Sequence, residues 1–363
     1  MSFMSKTAAF IGLGGLRDLI SDSMAINMGA AATIIYVRGR GVVVDEPCLI
    51  ALDNFTDEVI ATGIEAQKMY GREPRGVTVF APMMDGVVAD FEKTRQMLAL
   101  FAGRARSSFS HFSRRALMSV PTAITPVERR ALLGAAEHAR IGRVWMIEEG
   151  LAAALGAGVK LDDTQASAIV NVGGVNTSVT VVANGDIVNA KAERLGTSKI
   201  NAAIINHVRR HRGLSIGEHT AERLTKELAS ATLPIDLSES TSISGRDLVT
   251  RSPAAIEITA GEIYPLVQEV ARKIADGIAM TLTELPPEVA GDIYARGIIL
   301  TGNGSLFTGL DDFLREETKL SVTVANEPRY AIVRGLAQLF DEPQLLRRLR
   351  QSETPGLLDS DDL

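Results

Sequence analysis

Two stretches of this chain carry residue types suited to holding a polyanion. One reads Asn27-Met28-Gly29-Ala30-Ala31-Ala32-Thr33, the other Asn171-Val172-Gly173-Gly174-Val175-Asn176-Thr177. In each, an apolar run ends at an asparagine, a glycine-bearing turn follows, and a β-branched run resumes. Glycine leaves the backbone bare enough for a ligand to approach closely. Two such hairpin turns can cradle a polyphosphate with backbone N–H groups. A third turn, Gly302-Asn303-Gly304-Ser305, follows the apolar run Ile298–Thr301 and is placed to reach a base or sugar. One glycine loop alone is weak evidence; three spread over the chain are more specific.

The remaining candidates have plainer readings beside the chemical one. Glu148 and Glu149 open an apolar run, where carboxylates suit the N-terminus of a solvated helix. His207 and His211 lie four apart, on one helical face, but no zinc-protease glutamate accompanies them and Arg209 and Arg210 intervene. A solvated helix surface is the expectation there. The single cysteine, Cys48, excludes an internal disulfide and suits a reducing cytosol.

The elements that must position these residues are legible in the pattern. Residues 25–52 read as three strands broken at Arg38-Gly39-Arg40-Gly41 and at Asp45-Glu46-Pro47. Helical periodicity follows at about 63–70 and 92–105, then a buried strand at 116–120 ended by Pro121, then a helix over 126–140. After the second hairpin, Asn184-Gly185 marks another tight turn. Helices are expected at 199–212, 217–230 and 260–284, with a polar excursion at 232–252 and a stop at Pro286-Pro287.

Composition bounds the class. With 363 residues, 46% hydrophobic and 23% charged, the chain can hold two ordinary domains around sizeable cores. A net charge of −6 argues against general nucleic-acid binding. No apolar run approaches the ~20 residues that span a bilayer. Two stretches could lie on a membrane surface instead. Phe10, Leu13, Leu16 and Ile20 can share a helical stripe, weakened by Gly12, Gly14 and Gly15, so a loose terminus is an equal reading. Phe109 and Phe112 sit in a serine-rich loop flanked by Arg104, Arg106, Arg114 and Arg115. Taken alone, that loop favours folding both rings back onto the core over dipping into anionic lipid.

The chain resembles the actin, sugar-kinase and seventy-kilodalton chaperone superfamily, and within it the bacterial actin MreB family, over roughly residues 16–340. The stretches that carry the resemblance are Gly41–Pro47, Pro82–Phe91, Pro126–Arg130, Ile147–Ala154, Ala202–Asn206 and Ile216–Arg223. It implies an α/β, actin-like (ribonuclease H-like) duplicated fold of two lobes and four subdomains, with ATP and Mg²⁺ in a central cleft. The expected domains are an N-terminal extension at 1–24 and a first lobe at 25–150, with 325–350 packing back onto it. A second lobe at 151–324 carries an excursion at about 191–258, and an acidic tail covers 351–363. The resemblance also implies self-association into filaments at the inner face of the cell membrane, serving cell shape and the cell-wall elongation machinery. It turns Phe109, Phe112 and the N-terminus toward membrane contact.

Departures from the family pattern fall on the site. The first phosphate loop of the family begins with aspartate, as does the second; Asn27 and Asn171 replace both. Two carboxylates that would organise Mg²⁺ are thereby lost, costing several kcal/mol of attraction in a partly desolvated cleft. Ala30, Ala31 and Ala32 line the first turn, and Val175 replaces a glycine in the second, where it is expected to resist positive φ. By position, Gly29, Gly173, Gly174, Asn176 and Thr177 complete the two phosphate turns. Gly302, Gly304, Ser305, Leu306 and Phe307 form the third, where Asn303 in place of glycine tolerates the left-handed region. Glu222, Arg223, Leu224 and Thr225 match the sugar-contacting helix, whose expected lysine is Thr225; Lys226, turned by about 100°, does not replace it. Glu149 matches the glutamate that positions the attacking water, although Gly150 replaces the usual proline.

These features together predict an actin-like filament subunit with weak or absent ATP hydrolysis, working alone or co-assembled with an ordinary MreB. An ordinary ATP-hydrolysing subunit is the alternative. A sugar kinase would need a catalytic aspartate that is not seen at a matching position, and a peptide-binding chaperone would need a further β domain.

Overall fold

The computed structural model describes residues 23–84, 86–106 and 115–353. The chain divides into two compact units, one of residues up to Gly158 together with Ile332 onward, the other of Val159–Ala331. The stripe at residues 10–20, the loop of Phe109 and Phe112, and the acidic tail after 353 lie outside the described residues.

The first unit opens with β1 (Met24–Met28), β2 (Ala32–Val37) and β3 (Gly41–Pro47). A small sheet follows, of β4 (Ile50–Asp53), β5 (Val59–Thr62) and β6 (Val77–Phe80), with α1 (Ile64–Met69) inserted and the short hairpin β7 (Met83–Met84) and β8 (Val87–Val88) after it. Next come α2 (Phe91–Ala105), β9 (Arg115–Val120), α3 (Pro126–His138), β10 (Arg143–Glu148) and α4 (Glu149–Gly156). The main sheet has the order β10-β9-β1-β2-β3, with β1 antiparallel to β2 and parallel to β9. Strand β1 is buried over nearly its whole length because helices cover the sheet, which is why Met24–Met28 reads as a continuous apolar run. Helix α2 lays Met97, Leu98, Phe101 and Ala102 into that core. It starts at Asp90, whose side chain accepts from Lys93 N–H; α3 starts in a capping box between Thr125 and Glu128 with Pro126 at its first position.

The second unit runs through β11 (Ser167–Val172), β12 (Thr177–Ala183), β13 (Asp186–Glu193), α5 (Thr197–His211), β14 (Leu214–Ser215) and α6 (Glu218–Leu228). It continues with β15 (Ser240–Asp247), β16 (Pro253–Thr259), α7 (Ala260–Thr283), α8 (Pro287–Arg296), β17 (Ile298–Thr301), α9 (Leu310–Thr318) and β18 (Val322–Val324). Its main sheet reads β18-β17-β11-β12-β13, with β11 antiparallel to β12 and parallel to β17. That is the strand order and sense of the first unit's sheet, so the two units are copies of one architecture. The β12–β13 turn places Asn184 at φ 55° and Gly185 at φ 79°, the paired positive φ of a two-residue hairpin.

Local expectations change. Residues 25–52 hold four strands rather than three, and Asp45-Glu46-Pro47 belongs to β3 instead of breaking it, since β3 is an edge strand where a proline is tolerated. The polar stretch at 232–252 contains β15, which pairs with β14 and β16 in a small sheet. Ile243 and Ile258 bury one face of it while polar residues on the other face meet solvent, which is why the excursion reads as polar. Pro287 does more than end a helix: α7 stops at Thr283 and Pro287 is the first residue of α8, where its missing N–H costs nothing. The last helices, α10 (Ala331–Leu339) and α11 (Pro343–Glu353), return to the first unit, with Leu349 buried.

Candidate functional site

The two asparagine-glycine stretches fold into hairpins of the same size and register. In the first unit Met28 pairs with Thr33, and Gly29 N–H donates to Ala32 O at 3.0 Å. In the second Val172 pairs with Thr177, and Gly173 N–H donates to Asn176 O at 2.8 Å. Each hairpin thus presents a two-residue tip, Ala30-Ala31 in one and Gly174-Val175 in the other.

In the first hairpin, Cys48 N–H donates to Ala31 O at 3.0 Å and ties the tip to the chain after β3. Because a trans peptide sets C=O and N–H on opposite sides, the Ala32 N–H faces away from Cys48. Half-buried Asn27 lies at the end of β1, beside β9. There Ser119, only 3% exposed, donates its hydroxyl proton to Asn27 Oδ1 at 2.8 Å.

The second hairpin rests on the start of α5. Thr197 N–H donates to Gly173 O at 3.3 Å and Ser198 N–H to Gly174 O at 2.8 Å, so the helix's first free donors are satisfied by the turn. With those two carbonyls turned toward α5, the N–H groups of Gly174 and Val175 point away from it, as a phosphate cradle requires. Gly196 makes this seat possible, since a Cβ there would stand 2.6 Å from the carbonyl of Gly174 and from Val175 N. Val175 itself does not take positive φ, and neither do the glycines beside it. The expected backbone strain is therefore absent, and what Val175 changes is the bulk at the tip. Thr177 Oγ1 donates to Leu195 O.

Asn171 stands opposite Thr301 on β17, and the third turn begins there. Gly302 has φ 81°, and a Cβ on it would fall 2.4 Å from Val172 O and 2.5 Å from Asn171 Oδ1. Gly304 likewise lies against the Val172 side chain. Both glycines are thus needed to let the turn dock on β11, whatever else they touch. Residues Asn303–Leu306 form a single 3₁₀ turn in which Ser305 Oγ donates to Gly302 O at 2.7 Å. Asn303 has no positive φ, so its tolerance of the left-handed region is not used. Leu306 is 61% exposed, whereas Phe307 packs against the core.

On α6 the expected contact residues separate. Leu224 is fully buried in the core. Glu222 pairs with Lys226 Nζ at 2.7 Å, and Arg223 donates to Ser242 O at 3.0 Å. Thr225, at the lysine position, donates to Asn201 Oδ1 at 2.8 Å. In the first unit Glu149 is the first residue of α4, and its Oε1 accepts from Thr122 Oγ1 at 3.3 Å; Glu148 is held instead by Arg129 at 3.4 Å. His207 and His211 stack at 4.7 Å, with His207 Nε2 3.5 Å from Glu262 Oε2. Among the described residues no helix is long and apolar enough to cross a membrane.

Sequence reasoning passed over Ser119, Gly196 and Thr301. A serine closing the apolar run Ala116–Val120, and a glycine before Thr197-Ser198, were the available signals.

The family profile described as MreB/Mbl protein matches residues 21–348. The chain belongs to the MreB/Mbl family. The cell shape-determining protein MreB of Escherichia coli K12 is 39% identical over 324 residues, covering 88% of this MreB/Mbl chain and 93% of the relative. The cell shape-determining protein Mbl of Bacillus subtilis 168 is 35% identical over 334 residues, covering 92% and 100%. MreB5 of Spiroplasma citri bound to ADP is a similar solved structure, with TM-score 0.84, 29% identity and coverage of 90% of this chain and 98% of that one; it was also solved bound to AMPPNP. The MamK double helical filament, at TM-score 0.71 and 18% identity, shares the fold. The fold is actin-like.

Proposed function

We propose that this chain is an actin-like cytoskeletal subunit that binds an adenine nucleotide through its glycine turns and hydrolyses it weakly or not at all. The observation that carries the reading is the pair of glycine-bearing hairpins, alike in register, of a kind whose backbone N–H groups suit phosphate, while Asn27 and Asn171 bring no charge. The backbone fits a nucleotide phosphate. The side chains do not fit hydrated Mg²⁺ as carboxylates do, since a hard dication favours anionic oxygens and Asn27 and Asn171 are neutral. Relatives named for cell-shape determination, and an MreB5 structure with nucleotide bound, support the cytoskeletal and nucleotide parts.

In this reading the subunit self-associates into filaments, alone or with an ordinary MreB, at the inner face of the cell membrane, where they guide the wall-building machinery. Phe109 and Phe112 supply membrane contact. Glu149, kept at its position beside Thr122, favours the second reading, an ordinary ATP-hydrolysing subunit. Phosphate release by the purified chain in Mg²⁺-ATP decides between them. Release no faster than the buffer blank, with filaments still visible by electron microscopy, is expected; steady turnover overturns the first reading.

A further inference from the structure

We propose that the β15–β16 hairpin tip, residues 248–251, docks on an anionic lipid surface together with the arginines around it. This rests on the reading above that the chain works at a membrane, and adds a contact, within the second unit alone, that does not involve Phe109 or Phe112.

The tip is a braced loop. Asp247 ends β15, and its Oδ1 accepts from Val249 N–H at 2.9 Å, Thr250 N–H at 2.7 Å and Thr250 Oγ1 at 3.0 Å. Asp247 N–H donates to Ser252 O at 2.9 Å and Arg251 N–H to Asp247 O at 3.0 Å, with Arg251 at φ 59°. The loop's own carboxylate thus holds its shape. Val249 is left 90% exposed at the apex, with Leu248 exposed beside it.

The first unit carries the same device between β4 and β5. Asp53 Oδ1 accepts from Phe55 N–H at 2.8 Å and Thr56 N–H at 3.1 Å, Asp57 N–H donates to Asp53 O at 2.9 Å, and Asp57 has φ 58°. Phe55 is as exposed as Val249. The loops at 53–58 and 247–252 therefore share a conformation and differ in charge. The first carries Asp57, paired with Lys93, and Glu58 where the second carries Arg251 and Ser252.

Arg246 and Arg251 flank the second apex, and both are exposed. Leu248 N–H donates to Gly213 O at 2.9 Å, which brings the last turn of α5, with exposed Arg209 and Arg210, to the same edge. Arg212 instead leans back, donating to Glu257 O at 3.0 Å and lying 3.8 Å from Glu262 Oε2. In a chain of net charge −6, these arginines reverse the local sign. Basic side chains around an apolar apex match a surface that is anionic outside and apolar beneath. Nucleic acid would meet the same charge, but residues 247–252 include no aromatic side chain on which bases could stack.

Co-sedimentation of the full-length chain in low salt tests this, with vesicles of phosphatidylcholine alone and of phosphatidylcholine mixed equally with phosphatidylglycerol. Binding to the mixed vesicles is expected. Arg246→Ser/Arg251→Ser should lower the partition coefficient about fivefold for each arginine. Val249→Asp should lower it as well, while Phe55→Asp on the twin loop leaves it unchanged. Placed in the Phe109→Ala/Phe112→Ala chain, the tip substitutions should reduce binding further. A loss from Phe55→Asp equal to that from Val249→Asp overturns the inference. So do tip variants that keep vesicle binding, and what they lose instead, filament assembly without lipid or binding of a single-stranded oligonucleotide, names the true occupant. An unaltered chain that sediments with neither vesicle overturns the membrane reading itself.

Discussion

Ser119 and Thr301 hold the same place in the two sheets, one strand over from Asn27 and Asn171, yet only Ser119 has its hydroxyl bonded. Thr301 Oγ1 is fully buried and has no hydrogen-bond partner. The register makes the correspondence explicit, since Met118 sits opposite Ile26 in one unit as Leu300 sits opposite Val170 in the other. One copy of the repeat uses its hydroxyl to orient an amide, while the other buries it unpaired.

An unpaired buried hydroxyl costs about 1–3 kcal/mol, and replacing it with a methyl of the same shape removes that cost. Thr301→Val is therefore expected to raise stability by roughly 1 kcal/mol, or about 2–4 °C in Tm for a unit of this size. Differential scanning calorimetry reads this, and a lower Tm would mean that the hydroxyl has a partner in solution.

Gly196→Ala is expected to act through the second hairpin. A Cβ at 2.6 Å from Gly174 C and O would meet backbone, which cannot step aside as a side-chain tip can. Overpacking of this kind costs about 1–3 kcal/mol. The turn must lift off α5, so nucleotide affinity should fall together with Tm. An unchanged affinity at reduced Tm would detach the Gly174 and Val175 amides from phosphate binding.

Val175→Gly gives the opposite of a repair. Because Val175 is not at positive φ, glycine relieves no strain there and only enlarges the unfolded ensemble. Stability should drop by about 0.5–1 kcal/mol in a urea titration. A gain instead would show that Val175 is held under strain.

Cys48 should be silent until the chain unfolds. Burial pushes its thiol from 9.0 up to about 12, outweighing the Thr33 and Met83 hydrogen bonds that lower it. Iodoacetamide at pH 8 is expected to label the native chain on the order of a thousandfold more slowly than the denatured chain, followed by mass spectrometry. The raised value also has a sign for stability. The buried neutral thiol contributes fully below the unfolded thiol's pKa near 9, and that contribution is lost as pH climbs toward 12. Equal labelling of folded and unfolded chains would refute the burial argument.

Co-sedimentation with anionic vesicles tests the membrane proposal. Replacing Phe109 and Phe112 together by alanine should reduce the bound fraction severalfold in low salt. If the variant sediments as before, the two rings do not make the contact.

The sequence by itself determined the repeat, because apolar-Asn-apolar-Gly recurs at 26–29 and 170–173 and each copy is followed by a β-branched strand. It determined that two negative charges are missing, since asparagine is read directly off positions 27 and 171. Helix starts at 126 and 260 were equally legible from periodicity, and the structure adds the capping boxes of Thr125 and Thr259 in front of them. Tertiary structure decided what those asparagines touch. Asn27 accepts from Ser119, 92 residues away in sequence, and the Gly302 turn docks against Asn171. It also decided that Val175 takes no positive φ and that Leu224 is buried in the core. Residue type and spacing fix local conformation and charge. Hydrogen-bond partnership across a sheet is set only when distant strands come into register.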